Sequence, residues 1–349
     1  MMQRGKNNTA GKGQRFCQVG PLINAAELLR RFDCEPEDVF ASVGVLAEQL
    51  QNADDRLPFV TGIRLLDACA SAAECEHFGL LLGQQVVPAY LGLVGFLAQS
   101  ANTVGEALQL IAKNQDLNDQ GGSVTFSLVD GYVSMGYVVH EDQLEGLEQI
   151  SDMTLAATCG VLRALCGNSW KPSEVWLHRS EPKDTTPYRK LFHAPLMFDQ
   201  PQSAMLFQER WLTKPLASAD PGLHEFLLQN AGEVRGAMHL DLLGQLHDTM
   251  QIKLARQEDL SLEHFCREFE MHPRTLNRRL KELGTSFRDE RDKVRRTYAR
   301  QLLASTEMSV AEIAAALGYK ESSSFDHAFN RWEQMSPAQW RGRLKSNKN

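Results

Sequence analysis

Residues 261–284 read SLEHFCREFEMHPRTLNRRLKELG, and residues 309–332 read SVAEIAAALGYKESSSFDHAFNRW. The two stretches share an apolar pattern, in which Phe265 of the first corresponds to Ile313 of the second, 48 residues later. A fixed offset of this kind indicates an internal duplication. Each copy predicts a short helix, a tight turn and a second helix, which is the arrangement of a helix-turn-helix unit.

The turns of the two copies differ in sequence. Gly318 stands in the second turn, where a positive φ favours glycine, and Glu270 takes its place in the first. A left-handed Glu270 would cost about 1 kcal/mol, so we expect the first turn to be built differently. Ser261 stands at the expected start of copy one, and Ser309 with Glu312 forms a capping-box pattern at the start of copy two.

The second helix of copy one begins at Pro273, a residue that suits the first turn of a helix. Its apolar positions, which we expect to face inward, are Leu276, Leu280 and Leu283. Its outward positions are Arg274, Thr275, Asn277, Arg278 and Lys281. Arginine matches the O6/N7 edge of guanine and asparagine the N6/N7 edge of adenine in the major groove. This face therefore predicts contacts with DNA bases.

The second helix of copy two has a different outer face. Its expected buried residues are Phe325, Phe329 and Trp332. Its outward residues are Ser322, Ser323, Asp326, His327 and Asn330. Because this set carries little net charge, we expect it to make weaker or more positional contacts with DNA than the first.

Between the copies, residues 287–304 read FRDERDKVRRTYARQLLA, which predicts a helix of about 25 Å. A spacer of that size could hold two reading helices about 34 Å, one DNA turn, apart. Its cations are Arg291, Lys293, Arg295, Arg296 and Arg300. A solvated charged face is the alternative interpretation, which the acidic residues Asp289, Glu290 and Asp292 favour.

Charge is unevenly divided along the 349 residues, whose formal net charge is −7. Residues 256–349 contain 18 Lys and Arg against 14 Asp and Glu, which leaves 19 against 30 for residues 1–255. A basic end on an acidic body is informative about partners. The basic end is the one that contains the duplicated units.

The length favours two domains. We expect a disordered basic tail over residues 1–19, a front domain over 20–236 and a DNA-binding domain over 237–349. No apolar run is long enough for a membrane span, and the N-terminus lacks the apolar core of a secretory signal. The seven cysteines include no Cys-x-x-Cys pair, so we expect neither a disulfide framework nor a zinc site, and a cytoplasmic location.

The front domain is expected to be α+β. Helical patterns occupy roughly its first hundred residues, and two β-rich runs over 123–129 and 132–139 then flank an Asp-Gly turn, a strong hairpin signal. A long helix is expected over 144–165. Further strands near 175–178, 196–198 and 204–207 would complete one modest sheet. An apolar helix over 223–234, with Leu223, Phe226, Leu227 and Val234 on one face, precedes the expected boundary.

The front domain shows no catalytic constellation. His140-Glu141 lacks the second histidine of a zinc-binding H-E-x-x-H helix, and neither a phosphate-binding loop nor a G-x-S-x-G turn occurs. We therefore expect no enzyme activity, no metal and no cofactor. Loop polarity is the expected explanation of Asn114, Asp116, Asn118 and Asp119. Core packing is favoured over a pocket for Tyr137, Trp176 and His178.

The C-terminal part resembles the DNA-binding domain of the AraC/XylS family of bacterial transcription regulators. The resemblance covers residues 261–341 and rests on PRTLNRRLKELGTSF, VRRTYARQLL, SVAEIAAALGY and SSSFDHAFNRWEQMSPAQWR. It implies an all-α domain with two helix-turn-helix units joined by a long helix. By this resemblance the reading positions are Arg274, Asn277 and Arg278, then Ser322, Ser323, Asp326 and His327. Many members have arginine where this chain has His327.

The front domain resembles the α+β sensor domain of the branch that includes regulators similar to the ornithine-utilisation regulator, through YLGLVGFLAQSANTVGEALQLIAKN and the strand pair after it. The resemblance implies a regulator of promoter DNA that works with RNA polymerase, with a front domain for sensing a small molecule and for homodimerisation. The expected dimer contacts are the helix over 223–234 or that near 144–165. One alternative is a front domain that binds a protein partner and no ligand. An enzyme fused to a DNA-binding module ranks third.

Overall fold

The computed structural model describes residues 15–141, 145–237 and 242–348. Its helices are α1 (Ala25–Arg30), α2 (Pro36–Ser42), α3 (Phe59–Ala72), α4 (Phe78–Gly83), α5 (Gly92–Ser100), α6 (Val104–Asn114), α7 (Leu147–Cys166), α8 (Thr186–Phe192), α9 (Pro221–Ala237), α10 (Leu242–Ala255), α11 (Leu262–Glu268), α12 (Pro273–Glu282), α13 (Phe287–Ser305), α14 (Val310–Ala316), α15 (Ser322–Glu333) and α16 (Pro337–Lys348). Its strands are β1 (Phe16–Gln18), β2 (Arg56–Pro58), β3 (Gly122–Val129), β4 (Tyr132–Val139), β5 (Glu174–Trp176), β6 (Leu196–Met197) and β7 (Ser203–Gln208).

The front domain is built around a five-stranded sheet of order β3-β4-β7-β5-β6. The expected hairpin is confirmed, with β3 antiparallel to β4 and with Asp130 and Gly131 at φ +51° and +79°. Two consecutive positive φ values are what a two-residue hairpin turn of type I′ requires. The remaining pairs are antiparallel except β5 with β6. The α+β prediction is therefore confirmed.

Helix α7 is the central helix of the front domain. It packs against α3 and α4 and against strands β4 and β7. Most of its residues are buried, among them Leu155, Ala156, Cys159 and Leu162. A helix whose residues are buried on most of its sides belongs to a core. The expectation that the helix near 144–165 forms a dimer contact is therefore wrong, because its surface is already covered within the chain.

Residues 15–19 belong to the folded front domain, although the expected disordered tail covers residues 1–19. Strand β1 pairs antiparallel with β2, and Val19 is fully buried. Residues 1–14 lie outside the described residues. The tail prediction was wrong for residues 15–19, because their partner strand lies about forty residues away and leaves no local pattern.

Helix α9 was expected to place four apolar residues on one face. Leu227 is buried in the front-domain core and Val234 packs against it, but Leu223 and Phe226 are 46% and 61% exposed. The four residues share one face by helical spacing, but the core covers only part of that face. Leu223 and Phe226 stay exposed at its edge, while the exposed Leu228 lies on the opposite side of the helix.

The helices from α10 onward enclose a second core. It contains Leu246 and Met250 of α10, Leu302 of α13 and Phe329 of α15, and it is separate from the front-domain core. The all-α prediction for this part is confirmed. The boundary near 236 stays a prediction, because residues 238–241 lie outside the described residues.

Candidate DNA-binding surface and internal cavity

The turns of the two helix-turn-helix units have the same geometry. Glu270 has φ +49° and Gly318 has φ +74°, so both are left-handed. In both turns the next N–H donates to a carbonyl five residues earlier, Met271 to Cys266 and Tyr319 to Ala314, each at 2.9 Å. The expectation of a differently built first turn was wrong, because the packing of the two helices imposes the turn on a non-glycine residue.

Helix α12 is fixed by its first turn and by two leucines. Pro273 begins the helix, and the Nδ1 of His272 accepts a hydrogen bond from the N–H of Arg274 at 3.2 Å. Leu276 and Leu280 are fully buried, as expected. Leu283 is 53% exposed, so its predicted burial was wrong: it stands after the last helical residue, where the chain turns away.

The outer face of α12 brings the predicted contacts of unit one together. Arg274, Asn277 and Arg278 are exposed, and Thr275 is half-buried. The Nη1 of Arg278 lies 3.9 Å from Glu282 Oε1, one turn along the helix, and both side chains are largely exposed. An exposed pair at this distance is worth only about 0.3–0.5 kcal/mol, so it leaves Arg278 available for an external partner.

The outer face of α15 shows Ser322, Ser323, Asp326 and His327, all exposed. Phe325 and Phe329 lie beneath them with no exposure, while Trp332 is only half-buried, against the prediction. Trp332 lies in the last turn, where the ring contacts Phe329 from the edge of the core at a centroid distance of 6.4 Å. This face has no arginine or lysine at the four predicted contact positions.

Helix α13 connects the units through charged side chains. Arg296 Nε lies 2.7 Å from Glu333 Oε1, and Arg331 of α15 lies 2.7 Å from Asp292 Oδ2. Arg295 stacks on the ring of Tyr319 at 4.7 Å. Arg296 and Arg331 stay exposed while they form these pairs, so the solvated-face interpretation stays open for them, whereas Arg295 is half-buried against unit two.

Glu290 of α13 is fully buried beside unit one. It accepts hydrogen bonds from Lys293 Nζ at 2.8 Å, from the Thr285 hydroxyl and from the His247 ring. Burial alone would raise the pKa of Glu290, but these donors hold that pKa below its usual range. The carboxylate thus fixes the start of α13 to α10 and to the end of unit one.

Helices α10 and α13 also contact the front domain. Gln301 Nε2 donates to the carbonyl of Glu141 at 2.8 Å and to that of Val139 at 3.2 Å. The Tyr298 hydroxyl donates to the carbonyl of Pro201 at 2.5 Å, and its ring stacks on His178. These contacts tie the spacer helix to the end of β4 and to the loop before β7.

A partly buried ionic cluster adds to this contact. Oδ1 of Asp248 in α10 lies 2.7 Å from Arg15 Nη2 and 2.8 Å from His140 Nδ1. Burial raises the pKa of Asp248, but His140 and Arg15 overcome this effect and hold the pKa below its usual range. Sequence reasoning missed this cluster, because Arg15 stands in a stretch that reads as a basic tail.

The front domain contains an internal cavity of about 80 Å³. Helices α3 and α7 and the strands β3 and β4 form most of its wall, with Ile63, Val124, Met135 and Met153 among the apolar residues. Its polar lining comes from β1, from the turn between α6 and β3, from Tyr137 of β4 and from Thr154 and Thr158 of α7. The packing interpretation is thus incomplete for Tyr137, which lines the cavity as well as the core.

The turn before β3 supplies buried polar groups, so its interpretation as a polar surface loop was wrong. Asn114, Asn118 and Asp119 are each less than a tenth exposed. Asp119 accepts hydrogen bonds from the Tyr137 hydroxyl and, at 2.7 Å, from the N–H of Gly121. Burial raises the pKa of Asp119 to about 6, against the opposing effects of these donors and of Arg15.

A second, smaller cavity lies between the front domain and α13. It is lined by Tyr137, Leu147, His178, Tyr298 and Gln301, among others. Tyr137 therefore borders both cavities, and His178 lines the one at the domain contact. Trp176 lines neither of these two cavities, in agreement with the packing interpretation of that residue.

Metal sites and membrane-spanning helices can be assessed within the described parts of the chain. There, no group of three or more His, Cys, Asp or Glu side chains is arranged to hold a metal ion. Across the same ranges, no helix has both the length and the apolar content for crossing a membrane.

Both parts of the chain match models of known protein families. Residues 34–216 match the model of the arabinose-binding domain of AraC transcription regulators, N-terminal, and residues 265–343 match a helix-turn-helix domain model. The ornithine utilization regulator of Pseudomonas aeruginosa is 25% identical over 318 residues, which cover 90% of this chain and 93% of that protein.

Two further similarities extend over most of the chain. The regulator VirS of Mycobacterium tuberculosis is 26% identical over 320 residues, 90% of this chain and 89% of that protein. The crystal structure of transcriptional regulator CdpR from Pseudomonas aeruginosa is similar over 90% of this chain and 97% of that chain, with a TM-score of 0.44 and 22% identity. The chain belongs to the AraC family of helix-turn-helix transcription regulators, in the branch with an α+β N-terminal domain of the arabinose-binding type.

Proposed function

We propose that this regulator binds promoter DNA through α12 and α15 and that a small molecule in the internal cavity controls the binding. The observation that carries the first part is the exposed set Arg274, Asn277 and Arg278 on α12. These side chains match the donor and acceptor patterns of guanine and adenine in the major groove. The contacts of unit two would be Ser322, Ser323, Asp326 and His327 (Thr275 adds one in unit one).

The two units would contribute differently to DNA recognition. The outer face of α12 has two arginines and an asparagine that can each form two hydrogen bonds to one base, whereas α15 offers hydroxyls, one carboxylate and one imidazole. In addition, Arg331 of α15 is held by Asp292. We therefore assign most of the sequence discrimination to unit one and a positioning role to unit two.

The cavity supports the effector part of the proposal. It combines an apolar wall with a few polar groups, as small-molecule sites do, and its volume of about 80 Å³ limits it to very small ligands. Because one relative is named for ornithine utilization, ornithine belongs in the first set of test compounds. The alternative, a front domain that binds only a protein partner, predicts that no small molecule stabilises the chain.

The contact between the domains is the route by which a bound ligand would control DNA binding. Tyr137 lines the cavity, and the carbonyl of Val139, two residues later on β4, accepts from Gln301 of the spacer helix. A ligand that shifts β4 would change this contact and the nearby pair Asp248–Arg15. Ligand binding would then favour one arrangement of the DNA-binding units over another, which requires different ligand affinities of the two arrangements.

The remaining partners follow from the family and from one surface. We propose that the regulator acts as a homodimer through the exposed residues Leu223 and Phe226 of α9, since exposed apolar patches mark interaction surfaces. RNA polymerase at the promoter would be a further partner. The cytoplasm is the compartment in which a bacterial regulator would meet both.

DNA binding is tested by titration of the full chain against its promoter fragment at several salt concentrations. Six phosphate contacts would give a slope of about −5 in log K against log salt concentration. A salt-independent affinity would exclude the proposal. The effector is tested by thermal shift with amino acids including ornithine, sugars and lipids, where a tenfold excess over Kd adds about 1.4 kcal/mol.

A further inference from the structure

The polar end of the internal cavity is formed by Asp119, with Asn118 and Gln18 beside it. The Oδ1 of Asn118 and the Oε1 of Gln18 have no hydrogen-bond partner within the described chain, but both atoms are closed to a water-sized molecule, and the Gln18 amide lies against Gly92. A ligand in the cavity therefore cannot reach these two oxygens, and Asp119 is the charged group of the lining.

Asp119 sets the sign of charge at this end. Its carboxylate accepts from the Gly121 N–H and from the Tyr137 hydroxyl, and an ionised carboxylate has capacity for further donors. Unlike an amide, whose oxygen and nitrogen are assigned from their surroundings, an ionised carboxylate can only accept. A donor that is also a cation therefore gains most here.

No cationic side chain in the described residues lines the cavity. Arg15 is the cation that influences Asp119, but its guanidinium donates to the carbonyl of Gln120 and to Asp248, each at 2.7 Å. A ligand carboxylate would thus lie in a largely apolar cavity with no cationic side chain to pair with it, beside an existing carboxylate. Such burial of an unpaired charge is strongly unfavourable.

The rest of the wall is mostly apolar, with Gln115, Thr154 and Thr158 as its polar members, and the space is small. The volume of about 80 Å³ is several times that needed for one water molecule. It is well below the roughly 150 Å³ of a cavity that accepts benzene. Side chains such as Leu66, Ile111 and Val161 would surround a short hydrocarbon. The size favours a chain of about four carbons over a ring.

We propose that the cavity takes a small apolar primary amine, with its ammonium group against the carboxylate of Asp119. The inference rests on the proposed effector role of the cavity and names the class of that effector. It separates this chain from a sensor of α-amino acids, because an amino acid would bring a carboxylate that the cavity has no group to neutralise.

The test is a matched series on the full chain: butylamine, 1-butanol, butyrate and ornithine, measured by thermal shift and by calorimetric titration at about 10 mM. We expect butylamine to bind about tenfold or more tightly than 1-butanol, because charge-assisted hydrogen bonds are the stronger ones. We expect no binding of butyrate or ornithine. Equal or tighter binding of butyrate or ornithine would overturn the assignment.

Variants locate the site. Asp119→Asn keeps the shape of the side chain and should weaken butylamine about tenfold while 1-butanol changes little. Ala157→Leu fills the cavity from α7 and should weaken both ligands. Asp116→Asn, three residues before Asp119 and not part of the wall, is the matched control and should leave both affinities unchanged. Amine binding that survives Asp119→Asn or Ala157→Leu would place the amine elsewhere.

The comparison of ligands on the unmodified chain stands even if a variant fails to fold. Absence of binding by all four compounds would overturn the amine assignment. Promoter binding, measured on the same preparation with its salt dependence, decides separately whether the proposed regulator function stands.

Discussion

Arg278→Ala is the substitution that tests the division between the two units. Arg278 lies on the outer face of α12 with its side chain 68% exposed, and its intramolecular partner Glu282 is 3.9 Å away. Giving up this exposed pair costs about 0.3–0.5 kcal/mol. A bidentate contact with guanine contributes about 1–3 kcal/mol of discrimination. The substitution should therefore raise Kd on the cognate site about 5- to 150-fold.

Arg331→Ala is the matched control. Arg331 is also an exposed arginine on the second helix of its unit, but its guanidinium is 2.7 Å from Asp292 on the spacer helix. Because this arginine is already engaged within the protein, its loss should affect base discrimination little. A modest decrease in thermal stability is expected instead.

The assay is fluorescence anisotropy with the cognate fragment and a scrambled fragment at one fixed salt concentration. The reasoning requires that Arg278→Ala weakens the cognate complex and leaves the scrambled complex nearly unchanged. An equal loss on both fragments would make Arg278 a phosphate contact. A larger loss of discrimination at Ser323 or His327 than at Arg278 would assign the sequence reading to unit two.

Three further outcomes are expected. Glu270→Gly should raise the free energy of unfolding by about 1 kcal/mol in a urea titration, since Glu270 is left-handed and exposed; a decrease would show that its side chain stabilises the turn. Gln301→Leu should keep the thermal shift caused by an effector but reduce the effector's influence on promoter affinity, and an unchanged influence would exclude this contact as the route. The raised pKa of Asp119 contributes stability at low pH, and this stability is lost as the pH rises through about 6. The unfolding free energy of the unmodified chain, relative to that of Asp119→Asn, should therefore increase by about 1 kcal/mol from pH 7 to pH 5. A difference that stays constant with pH would contradict the raised pKa.

The parts of the fold that were predictable depend on neighbouring residues. The Asp130-Gly131 turn, the capping box at Ser309 and the buried positions Leu276 and Leu280 all follow from local patterns, because helices and hairpins bury residues at fixed spacings. The outer faces of α12 and α15 are predictable for the same reason. Their role in base contact stays a prediction.

The parts that were not predictable depend on distant residues. The polarity of Asn118 and Asp119 is the same whether they lie on a surface loop or on a cavity wall, and only α3, α7 and the sheet decide which. Arg15 looks like tail sequence until β1 pairs with β2 and places it beside Asp248. Glu270 broke the local rule of the turn, and the packing of the unit determined its backbone.

The spacer helix α13 constrains how an effector can act. The ring of Phe287, at its start, lies 5.2 Å from that of Phe265 in unit one, and Arg296, further along, is held by Glu333 of unit two. Gln301, near its end, bonds to the front domain. A continuous helix of this length bends only gently, so a shift at Gln301 moves both units together. We therefore expect an effector to change the contributions of unit one and unit two to the promoter affinity by the same factor. The measurement uses promoter fragments in which the DNA segment contacted by one unit is mutated at a time. A change confined to the segment of one unit would mean that the units move independently of α13.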